Sequence, residues 1–188
     1  MSQRKIIRKR FALLATVITL ACIAATVFFV INVRVDHGIR ALPFNLVSSK
    51  SIDARLTVAQ TLFQLALLMI GALWGLIIAK KGEVQIVFAE PAEVFMFFSA
   101  SIVLLLSICS YGFYLNKISH QFADAARALG NSELDLPLSV PDIFDQNVNY
   151  LFVLQIVTLV AGIFNGVLTL VSAHKLKGEE NENETLAS

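Results

Sequence analysis

The stretch 56-LTVAQTLFQLALLMIGALWGLIIA-79 decides how this chain is read. Leu56 to Ala79 holds no charged residue, and a helix of that length crosses the ~30 Å hydrocarbon layer of a bilayer. Its polar and small residues fall on one side. With 3.6 residues per turn, Thr57, Gln60, Gln64, Gly71 and Gly75 lie within a sector about 60° wide. Gly71 and Gly75 form a G-x-x-x-G pair, which lets another helix approach closely in lipid. A later stretch repeats the spacing: Gln155, Gly162 and Gly166 follow the pattern of Gln64, Gly71 and Gly75. Both stretches run in the same direction, so the two glycine pairs are expected at nearly one depth. The repetition points to a bundle seam and to a duplicated two-helix unit.

The rest of the composition agrees with a membrane solvent. The chain has 188 residues, 56% hydrophobic and 15% charged, with a mean hydropathy of +0.71. A soluble domain carries about 25% charged residues. Four uncharged windows are long enough to span: Phe11–Val33, Leu56–Ala79, Val94–Asn116 and Val148–Ala173. The expected fold class is an all-α integral membrane protein, a four-helix transmembrane bundle. It divides into a basic cytoplasmic N-terminus (1–10), a four-span membrane domain (11–177) and a disordered acidic tail (178–188).

Charge distribution sets the expected orientation. Arg4, Lys5, Arg8, Lys9 and Arg10 should stay cytoplasmic, and with four spans Lys80, Lys81, Lys175 and Lys177 join them. Five plus four puts nine of the fifteen basic residues inside, with both termini. The basic start also suits a signal peptide. The apolar run continues through Val27–Ile31 past any cleavage point, however, and reads as a retained anchor. Cys22 and Cys109 lie mid-span, so neither outer loop is expected to carry a disulfide.

Between the spans the signals differ. The first span carries a stripe of Ala12, Ala15, Thr16, Thr19, Cys22 and Thr26, small enough for close packing. The loop 34–55 reads as irregular, with four bases against Asp36 and Asp53. Glu90-Pro91-Ala92-Glu93 is a helix start, proline in the first turn and acids beside it. The third span carries Ser99, Ser107, Ser110 and Tyr114 on one face, and Tyr111 and Tyr114 are expected at its membrane edge. Ile118, Phe122, Ala125 and Leu129 continue its apolar stripe to a stop at Gly130-Asn131, so the helix should project about three turns beyond the bilayer. The segment 133–140 reads as extended. The loop 117–147 has five acids against two bases, a balance of −3 that complements the +2 of loop 34–55. The two loops are expected to dock.

No reaction signature is present. There is no charge within the spans for a proton relay or voltage sensor, no C-x-x-C, no phosphate loop and no G-x-S-x-G or H-E-x-x-H. His37 and His120 fall outside and His174 inside, short of the three ligands a metal site needs. The expectation is no enzyme, no cofactor and no metal. What remains are the intramembrane amides Gln60, Gln64, Gln155 and Asn165. They line a conduit, or they bond between helices, worth ~0.6 to 2 kcal/mol apiece. Glycine neighbours favour helix packing by Gln60, Gln64, Gly71, Gly75, Gln155, Gly162, Asn165 and Gly166.

A basic N-terminus, uncharged spans, a helix-plus-proline outer loop over Lys117–Asn147 and a short acidic tail resemble the four-span membrane subunit of the bacterial Kiwa anti-phage system. The resemblance implies an inner-membrane sensor in antiviral defence, working with a cytoplasmic partner that itself binds nucleic acid. No site residue is carried over from it. The expected function is a non-enzymatic sensor or scaffold that contacts the lipid bilayer, forms a homo-oligomer, engages a cytoplasmic protein partner and binds no nucleic acid directly. A small oligomeric channel is the alternative.

Overall fold

The computed structural model describes residues 3–32, 41–43, 46–78, 88, 90–130, 139–141 and 146–172. Four helices account for most of them: α1 (Gln3–Asn32), α2 (Leu46–Ile78), α3 (Pro91–Gly130) and α4 (Gln146–Ser172). Each is long and apolar enough to cross a membrane, over Ile6–Ile31, Lys50–Ile78, Pro91–His120 and Val148–Ser172. This is the architecture of a multi-pass membrane protein.

Two helices begin earlier than the apolar windows indicate. α1 starts at Gln3 because Arg, Lys and Ile are tolerant helix formers with no Gly or Pro among them. α2 starts at Leu46, within the loop expected to be irregular. Tertiary contacts hold that extra length. Ile52 is buried with Tyr114, Ile118, Val148 and Leu151. The Arg55 guanidinium lies 4.8 Å from the centre of the Phe152 ring and donates to Asn149 Oδ1.

The start of α3 is built as its sequence implies. Pro91 takes the first helical position, where its missing N–H costs nothing. Glu93 Oε2 accepts from the Glu90 N–H at 3.4 Å, the reciprocal bond of a capping box. At 1.5 Å per residue, the 40 residues of α3 extend about 60 Å.

Two short strands correct the purely helical expectation. β1 (Ala41–Pro43) pairs antiparallel with β2 (Ser139–Pro141), Leu42 opposite Val140. The loops before α2 and before α4 therefore meet through a backbone ladder. β2 falls at the edge of the segment read as extended; β1 falls where irregular chain was expected. Asp142 and Asp145, whose charge motivated the docking, lie outside the described residues.

α3 and α4 form the central pair, running antiparallel with Ser107 level with Gln155 and Ser99 with Asn165. α1 packs on both from one side and α2 on both from another. The two apolar clusters come from α2, α3 and α4. α1 is held differently, by the small stripe Ala15, Thr19, Cys22 and Thr26, all buried. Tyr111 and Tyr114, expected at the membrane edge, pack against other helices of the bundle. Tyr114 is fully buried, and Tyr111 stacks on Phe63 at 4.8 Å, because α2 reaches far enough to cover both.

Candidate functional site

The bundle's polar side chains gather on α4 and the surfaces it meets. Ser99, Ser107, Ser110, Gln155, Thr158, Asn165 and Thr169 are all buried. Most of the hydroxyls satisfy themselves on the preceding turn, as Thr158 does on Leu154 O at 2.7 Å and Thr169 on Asn165 O at 2.8 Å. Such back-bonding lets a hydroxyl sit in an apolar surrounding without an outside partner.

Two groups reach between helices instead. Gln155 Nε2 donates to Ala59 O of α2 at 2.8 Å, and the Gln155 carbonyl accepts from Ser107 Oγ of α3 at 2.9 Å. One residue thus ties three helices. Asn165 does the same for α1, α3 and α4. Its Nδ2 donates to Ser99 Oγ at 3.3 Å and to Thr19 Oγ1 at 3.4 Å. Thr19 and Ser99 also touch each other, and both donate to Ala15 O, at 2.8 and 3.2 Å. Small residues at Ala15 and Ala59 expose the carbonyls that these side chains use.

The α4 glycines are where the bundle is tightest. A Cβ at Gly162 would meet Leu104 Cγ and Cδ2 at 2.7 Å and the Leu104 backbone nitrogen at 3.1 Å. A Cβ at Gly166 would stand 3.6 Å from Leu73 of α2, ordinary contact. Gln155, Gly162, Asn165 and Gly166 are all inside the chain's own core.

The matching residues of α2 are not. Gln60, Gln64, Gly71 and Gly75 are exposed, and a Cβ at either glycine would meet nothing within 4 Å. α2 turns Ala59, Ala66 and Leu73 inward. At 100° per residue its glutamine–glycine sector lies roughly opposite them. Only 11% of its most apolar stretch is buried, against 50% in α3 and α4. Depth follows the expectation more closely than facing does. Leu73 is level with Gly166, which sets the two glycine pairs within about 3 Å along the bundle.

One charged contact escaped sequence reasoning. Arg8 of α1 pairs with Glu93 at 3.3 Å and Glu90 at 3.6 Å, and Glu93 is fully buried. The two helices run parallel, so their starts coincide at one end of the bundle. A basic residue near the start of one helix and an acidic pair opening another were the available signal, but 85 residues separate them. Among the described residues, no set of three metal-type side chains converges.

Compared with known proteins, the chain matches no family model, no curated protein and no solved structure.

Proposed function

We propose that the chain is a non-enzymatic membrane subunit that senses or scaffolds. It sits in a bacterial inner membrane with both termini cytoplasmic, assembles with itself and engages a cytoplasmic protein partner, a role that suits antiviral defence. The observation that carries this reading is where the polar chemistry goes. Gln155 and Asn165 donate their amide N–H groups, and Ser99 and Ser107 their hydroxyls, in ties between helices, and none of the four is presented on an open surface. A substrate site presents free groups to a cavity or surface; here the donors tie helices together, and the amide oxygens Gln155 Oε1 and Asn165 Oδ1, which have no partner among the described residues, are buried between those helices.

Orientation follows from the basic residues at the start of α1 and after α2, which favour the cytoplasmic side. In that orientation the last turns of α3 rise outside the bilayer on the side of the β1–β2 ladder, where they could receive an external event. Arg8 clamps α1 to α3 at the opposite, cytoplasmic end.

Channel activity is the second reading, favoured by one feature: the exposed amides Gln60 and Gln64 would wet a conduit if several α2 helices surrounded it. Conductance of the purified full-length protein in planar bilayers separates the two. Silent bilayers, with a soluble protein retained through purification and lost on Lys80→Glu/Lys81→Glu, support the subunit reading. Reproducible unitary currents abolished by Gln64→Leu replace it with the channel.

A further inference from the structure

We infer that the outward face of α2 is a homodimer interface in which Gln64 of two copies meet across a two-fold axis along the membrane normal. This interface deepens the assembly reading above, on which it rests, by naming its surface, partner and symmetry.

The first observation is chemical. Gln64 lies three to four residues from the centre of the Leu56–Ala79 window, about 5 Å from the bilayer middle. There its amide points away from α3 and α4, and no hydrogen bond reaches it among the described residues. A carboxamide bare to hydrocarbon is costly, since lipid offers no donor or acceptor. Its threonine neighbours escape that cost alone: Thr57 donates to Asp53 O and Thr61 to Thr57 O, each at 2.8 Å. Among the described residues nothing offers the glutamine a partner, and a second chain can.

The second observation is steric, and α4 supplies the comparison. The same glutamine–glycine–glycine spacing is covered there by neighbouring helices, its amide bonded to a backbone carbonyl and its first glycine pressed on Leu104. On α2 the glycines make the same shallow channel, open along its length. The motif is therefore built for a helix, and among the described residues no helix takes the place. α1 packs on α3 and α4, away from α2.

The occupant is a second copy for reasons of symmetry. All copies of a membrane protein share one orientation, so a two-fold axis relating two of them lies along the membrane normal. A helix then meets itself in parallel, each residue facing the same residue at the same depth. An amide carries both donor and acceptor and pairs with an identical amide. A G-x-x-x-G face is likewise complementary to itself, and a two-fold interface uses one patch twice.

The test is disulfide crosslinking of the full-length protein in membranes, with Cys22→Ser and Cys109→Ser removing the native thiols. Leu68→Cys lies on the glutamine–glycine face, whereas Leu65→Cys has similar depth but points about 100° from Gln64. The expected result is a crosslinked band of twice the chain mass for Leu68→Cys, faint or missing for Leu65→Cys. Adding Gly71→Ile should abolish it. Equal bands at the two positions, no band at either, or a product of another mass would overturn the interface. So would a band indifferent to Gly71→Ile. The cysteine pair decides without any glycine change, so a folding defect in Gly71→Ile leaves the test intact. Failure here with wild-type oligomers still present would leave the subunit reading standing. A crosslink together with channel currents would leave the interface standing and remove that reading.

Discussion

Gln64–Gly71–Gly75 and Gln155–Gly162–Gly166 share one spacing, one direction and nearly one depth, yet they meet opposite surroundings. On α4 the amide is bonded and the first glycine is in contact tight enough to exclude a methyl group. On α2 the amide is bare and both glycines face open space. A packing motif therefore specifies that a helix will be met, and the rest of the fold decides whose helix it is. Gln155 has Ala59 and Ser107 within reach because α4 lies in the middle of the bundle. Gln64 has none, because Ala66 and Leu73 have already turned the other side of α2 inward.

Substitutions should divide along that line. Gly162→Leu forces a side chain into the Leu104 backbone and should be the most damaging, by about 3 kcal/mol or more, since overpacking at a rigid contact costs that much. Thermal unfolding in mild detergent measures it; a melting temperature equal to wild type would show that α3 and α4 are not locked there.

Arg8→Ala should come next. It removes a charged partner of the fully buried Glu93, and breaking a buried pair costs on the order of 3 kcal/mol. Glu93→Gln combined with Arg8→Ala should recover part of the loss, because the buried charge is then gone. If the double variant is no more stable than Arg8→Ala, the pair is not what joins α1 to α3.

Asn165→Leu should be milder, about 1 kcal/mol, the scale of an interhelical bond in lipid. Thr19 and Ser99 keep their bonds to Ala15 O without it. Limited proteolysis of the loop between α1 and α2 would report any loosening of α1; a change as large as that of Gly162→Leu would contradict this ranking. Smallest of all, Gln64→Leu should leave unfolding of the single chain within about 0.5 kcal/mol, as at other exposed sites, while weakening the dimer.

Several of these features could be read directly from the chain. The four spans follow from uncharged windows, and the start of α3 from Glu90-Pro91-Ala92-Glu93, because both depend on local composition. The small stripe of α1 and the serine face of α3 each group on one side as their periodicity implied, and both sides are buried. What periodicity leaves open is rotation. It groups Gln60, Gln64, Gly71 and Gly75 on one side of α2 without saying whether that side faces the bundle. Long-range contacts were invisible for a related reason. Arg8 meets Glu93, Ile52 holds the early turns of α2, and Ala41–Pro43 finds Ser139–Pro141 only once the helices have packed.

With the interface proposed above, one motif holds the chain together and its twin holds two chains together. Size and unfolding measured on the same samples test it, for Gly71→Leu beside Gly162→Leu in mild detergent. Gly71→Leu is expected to run as a monomer with the unfolding curve of wild type, whereas Gly162→Leu melts early. Gly71→Leu remaining dimeric, or melting as early as Gly162→Leu, would contradict it.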